Sequence, residues 1–281
     1  MAVFALPPRM IGFYKRHLDY ISEHAVYPDK RRYVNKQEGF HHFIDLDHYQ
    51  CESFDSIPQS WNKAKEKYSV DSLNIHGTVP WQIERMLFLL TQAFTESNPE
   101  KVLYLSSEIG HYIADAQVPL HTTSNYNGQF TGQVGIHALW ESRLPELYAE
   151  SYNYFLGRAR YIDKPNNKAW EMVRESYSEK DSVLLLEEKL NRLFPGDKKY
   201  SIENKGAKLI HAYSIEYCRE YNKMLCRMVE RRMASAILNV SSFWYTAWVN
   251  SGEPDLDRME HKTVSDSLKP EIKEENGDHA E

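Results

Sequence analysis

The sequence lacks the features that mark several protein classes. Its 281 residues include 12 glycines, 12 prolines and three cysteines: Cys51, Cys218 and Cys226. Three cysteines cannot form a disulfide framework, and this glycine and proline content excludes a fibrous chain. No apolar run approaches the ~20 residues of a membrane helix, so we expect no transmembrane segment. The chain as given begins without a basic region or a small-residue cleavage site, so we expect no signal peptide in it.

The net charge of −6 is confined to the C-terminal end. Residues 253–281 contain ten acidic and four basic residues, so residues 1–252 are balanced, with 30 of each. A neutral body of this kind has no global basic field that would mark a duplex-DNA-binding protein. We predict one domain over residues 1–252 and a disordered acidic tail over residues 253–281.

Helical periodicity dominates the rest of the sequence, and alternating strand patterns are nearly absent. The clearest helices are predicted over residues 80–97, which begin with Pro80, and over 99–117, which begin with Pro99. Irregular structure is predicted over 28–52 and 122–135. Further helices are predicted over 8–24, 57–69, 136–156, 168–177, 179–194 and 200–250, the last with room for an internal break. The predicted fold class is therefore all-α, with a single multi-helix domain.

One stretch concentrates residues that bind metals. His111 and Asp115 are four residues apart in a predicted helix and therefore project from one face, and His121 follows just beyond the end of that helix. His137 and Glu141 repeat the four-residue spacing in the next helix. Zinc takes three or four nitrogen, oxygen or sulfur ligands, so five such side chains are enough for two ions. A single pair of this kind is usually a surface ion pair, but here two pairs lie in apolar stretches close together.

A second stretch is crowded with further possible ligands. It contains Asp29, the pair His41 and His42, and then Asp45 and Asp47. The helical periodicity of the sequence does not indicate which of these side chains would bind a metal. The basic run at residues 30–32 leaves open the alternative that the two aspartates after it belong to a solvated salt network.

The run from His111 through Asp115 and His121 to His137 and Glu141 resembles the zinc-dependent phospholipase C and single-strand-specific zinc nuclease superfamily. The resemblance extends over most of residues 1–250. It implies an all-α fold that holds three zinc ions, hydrolyses phosphodiesters with zinc-bound hydroxide, and acts outside the cell or in the periplasm.

The resemblance also implies a role for each ligand. His111 would bind a buried zinc, and Asp115 would bridge that ion to a second one. A more exposed zinc would be held by His121, His137 and Glu141.

The upstream ligands of the buried zinc are implied with less detail. Asp29 and His42 fit the family's spacing best and would complete the buried site, with Asp29 also a candidate base. His41, Asp45 and Asp47 are the substitutes if the register is shifted.

The N-terminus departs from the family pattern. Members bind a third zinc through an N-terminal Trp and a nearby His, whereas this chain begins Met1-Ala2-Val3-Phe4. We therefore expect two well-supplied zinc sites and an incomplete third. We also expect the native protein to be longer, with a secretory signal.

The substrate class stays open between two phosphodiesters, a phospholipid head group and single-stranded nucleic acid. The resemblance implies that Glu141 as the last ligand and the 16-residue gap from His121 to His137 favour phospholipase C over a single-strand-preferring endonuclease. Tyr126, Phe130 and Trp140 could line a head-group pocket or a base-stacking platform, or simply pack. A catalytically impaired relative and a helical binding module with fortuitous histidines are the remaining alternatives. The sequence does not give the oligomeric state.

Overall fold

The fold is built around two long helices that run side by side. A computed structural model describes residues 1–49, 54–206 and 208–258 of the chain. Helix α6 spans Val79–Thr95 and α7 spans Pro99–Asp115, and each has a proline in its first turn. The side chain of Asn98 accepts a hydrogen bond from the Lys101 backbone N–H at 3.1 Å and so caps α7. The short connection between the two helices makes them antiparallel neighbours.

The remaining elements surround this pair. Before it come α1 (Pro8–Arg16), α2 (Leu18–His24), α3 (Tyr27–Arg31), α4 (Trp61–Tyr68) and α5 (Val70–His76). After it come α8 (Ile136–Ala138), a π-helical turn (Leu139–Arg143), α9 (Leu144–Tyr148), α10 (Pro165–Leu193), β1 (Tyr200–Lys205), β2 (Lys208–Tyr213), α11 (Ile215–Met224) and α12 (Met228–Asn250). Short 3-10 turns lie at Ala2–Ala5, Gly39–His41, Phe54–Ser56, Pro119–Thr122, Ala149–Ser151 and Gly196–Lys198. The predicted all-α fold class is confirmed, with one small hairpin added.

Large aromatic side chains fill the main core between α6, α7, α10 and α12. Trp170 is fully buried and packs edge to face against Trp81, with ring centroids 5.0 Å apart. Tyr14 stacks on Trp244 at 4.8 Å and exchanges a hydrogen bond with Ser106 of α7. A second apolar cluster under α9 and α11 includes Trp140, Tyr217 and other side chains. These contacts hold α7 rigidly, and α7 carries His111 and Asp115.

The predicted helix over 200–250 is wrong at its beginning. Residues 200–205 and 208–213 form the antiparallel hairpin β1–β2, in which Tyr200 pairs with Tyr213. Gly206 at the turn has φ +62°, a left-handed conformation that glycine adopts without strain. Ser214 then caps α11, and a second break follows where Cys226 and Arg227 have positive φ. Cys218 lies in α11 and the exposed Cys226 in the turn that follows it, and both are free thiols.

Several other predicted boundaries also shift. The predicted helix 8–24 is divided at His17, and the predicted helices 168–177 and 179–194 are one continuous helix, α10. The predicted helix 136–156 is interrupted by the π-helical turn and is followed by a short 3-10 turn. The predicted irregular stretch 28–52 contains most of α3, and α5 was not predicted at all.

The described part of the predicted tail is packed. Leu256 is 2% exposed, and the Trp248 indole N–H donates to the Pro254 carbonyl at 2.9 Å. Asp257 pairs with Arg16 of α1 at 2.8 Å. Residues 259–281 lie outside the described residues, so the domain division and the disordered tail stay predictions. No helix in the described residues has the length and apolar character that a membrane crossing requires.

Candidate metal centre

Backbone hydrogen bonds join the two stretches that carry the candidate ligands. The Ile44 N–H donates to the His121 carbonyl at 2.9 Å, and the Leu46 N–H donates to the Thr122 carbonyl at 3.0 Å. The segment containing His42 is thereby held against the turn that follows α7. These bonds bring residues about 75 positions apart in the sequence to the same end of α7.

The first group of ligands surrounds the C-terminal end of α7. His42 Nδ1 lies 2.8 Å from Asp115 Oδ2 and 3.1 Å from His111 Nε2. His111 Nε2 lies 3.3 Å from the same Asp115 oxygen, as the four-residue spacing predicts. Asp29 Oδ1 approaches both imidazoles to 4.0 Å from α3. The donor atoms of Asp29, His42 and His111 are close enough to share one ion.

The second group is formed around the loop from 122 to 135. His137 Nε2 lies 2.7 Å from Glu141 Oε2, and His121 Nε2 lies 3.3 Å from the same oxygen. The two Nε2 atoms are 3.3 Å apart. Glu141 stands in the π-helical turn, and turns of this kind are frequent at functional sites.

The ring orientations direct lone pairs into both groups. His111 Nδ1 lies 2.8 Å from the Ala25 carbonyl oxygen, which can only accept, so this nitrogen carries the hydrogen and Nε2 carries the lone pair. His121 Nδ1 donates in the same way to the His42 carbonyl at 2.8 Å, and His137 Nδ1 donates to the Tyr126 carbonyl at 3.2 Å. Each group therefore combines imidazole lone pairs with a carboxylate, a donor set that fits zinc.

The electrostatics of both groups favour bound cations. Burial alone would raise the pKa of Asp115, but His111, His121 and His42 lower it. Burial likewise opposes ionisation of Glu141, whereas His121 and His137 hold its pKa well below the usual range. Burial lowers the pKa of His42 and His121, but neighbouring carboxylates outweigh it and raise both to about 9. In the metal-free chain, protons thus supply the positive charge that these carboxylates attract, and bound zinc ions would replace them.

The sequence matches the zinc-dependent phospholipase C family over residues 2–204. The chain belongs to this family. A comparison with curated proteins gives no match. Membership confirms the resemblance stated from the histidine and carboxylate pattern, and it supports a zinc-dependent, phosphodiesterase-like function. The two ligand groups lie within the matched residues.

The zinc phospholipase C fold does not bring every candidate ligand to these groups. His41 Nδ1 lies 3.0 Å from the Thr78 hydroxyl, and Asp45 faces His76 at 3.6 Å. Asp47 accepts hydrogen bonds from Thr123 and Ser124. These three substitutes therefore lie outside both groups.

The incomplete third zinc site stays a prediction. Within residues 1–49, 54–206 and 208–258, the converging sets of three or more possible ligands are the two given above. Asp115 Oδ1 lies 3.6 Å from His121 Nδ1, the nitrogen that donates to the His42 carbonyl. Asp115 thus contacts both groups, through its two oxygens.

The sequence did not predict the charged network that lies behind His42. Glu38 Oε1 lies 3.6 Å from His42 Nε2, on the side of the ring away from Asp115. Glu38 also accepts hydrogen bonds from Arg31 and Tyr112, and Arg31 pairs with the buried Glu108 of α7. The sequence spacing could have indicated this contact. Glu38 stands four residues before His42, the same spacing that separates His111 from Asp115 and His137 from Glu141.

The three aromatic side chains named as possible substrate contacts separate into two classes. Trp140 is 3% exposed and packs in the second apolar cluster, so it lines no open pocket. Tyr126 is 54% exposed and Phe130 is 72% exposed, both on the loop between His121 and His137. The Tyr126 ring meets the His137 ring edge to face, with centroids 6.1 Å apart.

Proposed function

We propose that the protein is a zinc-dependent phosphodiester hydrolase of the phospholipase C type. The observation that carries the proposal is the convergence of imidazole nitrogens and carboxylates in two neighbouring groups at one end of α7. The proposed ligands are Asp29, His42, His111 and Asp115 in the first group and His121, His137 and Glu141 in the second. Zinc bound in such sites supplies Lewis acidity toward phosphate oxygens and lowers the pKa of bound water.

The chain's own residues would orient the substrate and handle the proton. The backbone carbonyls of Ala25, His42 and Tyr126 fix the orientation of the histidine rings, so the site is formed before substrate binds. The Asp29 side chain is 47% exposed, whereas that of Asp115 is 6% exposed. Asp29 therefore lies at the solvent side of the first group, where its carboxylate can accept a proton from the attacking water.

The loop beside the second group favours a phospholipid as substrate. Tyr126, Phe130 and Val134 are all more than half exposed on this loop. Residues 122–135 contain no charged side chain. An uncharged loop with exposed apolar side chains suits the surface of a lipid aggregate, whereas a single-stranded nucleic acid requires a positively charged groove. Action on lipid outside the cell, and hence secretion, stays part of this proposal.

The test compares the two substrate classes on the zinc-loaded chain. We expect release of phosphocholine from phosphatidylcholine in mixed micelles, loss of that release with a chelator and recovery with zinc. Degradation of single-stranded DNA without release of phosphocholine would replace phospholipase C by the nuclease alternative. Bound zinc with neither activity would indicate the catalytically impaired relative.

The role of the loop has its own variant and control. Phe130→Ser removes the most exposed apolar side chain of the loop, and Phe155→Ser removes a 98% exposed phenylalanine elsewhere. We expect Phe130→Ser to weaken binding to phosphatidylcholine vesicles in a sedimentation assay, and Phe155→Ser to leave it unchanged. If both variants bind the vesicles as tightly as the wild type does, the loop does not contact the lipid surface.

A further inference from the structure

The β1–β2 hairpin exposes apolar side chains on one of its faces. Successive strand residues point to opposite faces and paired residues share a face, so Ile202, Leu209 and Tyr213 lie on the same side. Ile202 is 73% exposed and Leu209 is 72% exposed, whereas Tyr213 at the base is half-buried. On the opposite face, Glu203 pairs with Arg143 of the π-helical turn. The apolar face of the hairpin is therefore open to solvent beyond its base.

The base of the hairpin lies beside the second ligand group. The Tyr213 hydroxyl lies 3.2 Å from the position that a Cβ atom of Gly135 would occupy, two residues before the proposed ligand His137. Arg143 of the π-helical turn donates to the Tyr213 carbonyl at 3.3 Å. The apolar face of the hairpin therefore begins at the loop from 122 to 135, which is the loop proposed to contact lipid.

A buried carboxylate fixes the hairpin to the same loop. Glu187 of α10 is 1% exposed, and it accepts hydrogen bonds from Gln133 of the loop at 2.6 Å and from Lys199 at 3.0 Å. Lys199 immediately precedes β1, and its ammonium group lies over the Tyr200 ring, 5.6 Å from the centroid. Breaking a buried ion pair is strongly destabilising. The hairpin and the loop are thus held in a fixed relation, so their exposed side chains can contact one surface together.

The hairpin is basic as well as apolar. Residues 198–213 contain four lysines and one acidic residue, in contrast to the neutral body of the chain. The single acidic residue, Glu203, is paired with Arg143. Lys198 precedes β1 and Lys208 lies next to the turn, and both are exposed. Lysines among exposed apolar side chains favour the surface of an anionic membrane, because apolar burial and the attraction of charges add.

We propose that the apolar face of this hairpin docks on the surface of an anionic phospholipid membrane. Ile202 and Leu209 would enter the boundary between head groups and acyl chains, and Lys208 would contact lipid phosphates. A second copy of the chain is the poorer occupant, because a two-fold contact between identical faces would bring the lysines of both copies together. The proposal rests on the proposed function, and it names the surface on which that reaction takes place.

Vesicle binding tests the hairpin independently of catalysis. The probes are vesicles of phosphatidylcholine alone and of equal parts phosphatidylcholine and phosphatidylglycerol, sedimented with the zinc-loaded full chain. We expect the wild type to bind the anionic vesicles more tightly. The double variant Ile202→Ser/Leu209→Ser should weaken that binding about tenfold, and Lys208→Ser about fivefold. Ile75→Ser is the matched control, since Ile75 on α5 is 68% exposed.

Two results of the binding assay would overturn the proposal. One is equal binding of the double variant and the wild type, and the other is equal binding of the wild type to both kinds of vesicle. Gel filtration tests the other occupant. A wild-type dimer that Ile202→Ser converts to a monomer would assign the apolar face to a second copy of the chain and would also overturn the proposal.

Hydrolysis separates this proposal from the proposed function. On the anionic vesicles, we expect the double variant to lose about tenfold in activity, because less enzyme is bound. On a short-chain phosphatidylcholine dissolved as monomers, it should match the wild type. An equal loss on both substrates would mean that the hairpin only supports the second ligand group, and the docking proposal would be wrong. If the wild type binds the anionic vesicles but hydrolyses no phosphodiester, the docking surface stands and the proposed hydrolase function falls.

Discussion

At the scale of single residues, the proposed metal site depends on groups that do not touch the metal position. Glu38 lies behind His42 and is held in turn by Arg31 and Tyr112. Carboxylates in this position orient a histidine ligand and increase its basicity. The residues that position His42 are therefore as much a part of the proposed site as the ligands.

Glu38→Gln tests that support. The amide keeps the shape of the side chain but removes the negative charge facing His42. We expect zinc affinity, measured by competition with a fluorescent chelator, to fall by about 10–100-fold. The control is Glu96→Gln, which neutralises an exposed glutamate paired with Lys101. Unchanged affinity in Glu38→Gln would show that the carboxylate does not act on His42.

Two neighbouring aspartates are predicted to have opposite effects on stability. Burial, and then the charge of Asp47, raise the pKa of Asp45 to about 7, from 3.8 in the unfolded chain. Because the folded-state pKa is the higher one, the stability contributed by Asp45 is complete below pH 3.8 and is lost as the pH rises through 7. Asp45→Asn should therefore raise the free energy of unfolding at pH 8 by roughly 1–2 kcal/mol, with little change at pH 4.

Asp47→Asn provides the contrast, because Asp47 accepts hydrogen bonds from Thr123 and Ser124. This variant should be less stable than the wild type by about 1–3 kcal/mol. Thermal melts of the three proteins from pH 4 to pH 8 measure both effects. A lower melting temperature of Asp45→Asn at pH 8 would contradict the burial of an ionised Asp45.

At the scale of elements, helices with strong local sequence signals were predicted correctly, and elements with weak signals were not. Helices α6 and α7 agree with the sequence prediction to within two residues, because each combines an apolar stripe with proline in its first turn. The hairpin β1–β2 was missed because its apolar residues are exposed, Ile202 to 73% and Leu209 to 72%. A strand pattern with no buried face carries little periodic signal. The turn residue Gly206 was the one local cue.

The turn at Gly77 packs closely against Phe43, the residue that follows His42. Gly77 follows α5 with φ +82°, and a Cβ atom there would lie 2.2 Å from the Phe43 carbonyl oxygen. Gly77→Ala should lower the free energy of unfolding by at least about 2 kcal/mol, because backbone atoms must move. Gly39→Ala is the control, since no atom lies within 4 Å of its added Cβ. Equal chemical denaturation midpoints for both variants would contradict the close packing of this turn.

At the scale of the whole molecule, residues 253–258 pack against the N-terminal part of the fold. Leu256 is buried, and both Glu253 and Asp257 pair with arginines of α1. A chain truncated after residue 252 should be less stable than one truncated after residue 258 by about 1.5–3 kcal/mol, mainly because the burial of Leu256 is lost. Calorimetry compares the two, and equal melting temperatures would show that residues 253–258 add nothing.

The sequence predicts the ligands of the candidate site better than the groups that orient them. The spacing of His111, Asp115, His137 and Glu141 was readable because helical geometry fixes side chains four residues apart. The contributions of the Ala25 and Tyr126 carbonyls were not readable, since any residue has a carbonyl and only tertiary packing places it.

Two groups of converging ligands are each proposed to hold zinc. The most direct measurement is the zinc content per chain by elemental mass spectrometry after saturation with zinc and removal of excess metal. We predict at least two zinc ions per wild-type chain, with one lost in His137→Ala and at least one in Asp115→Asn. A wild-type chain that folds but retains no zinc would contradict zinc binding by these two groups.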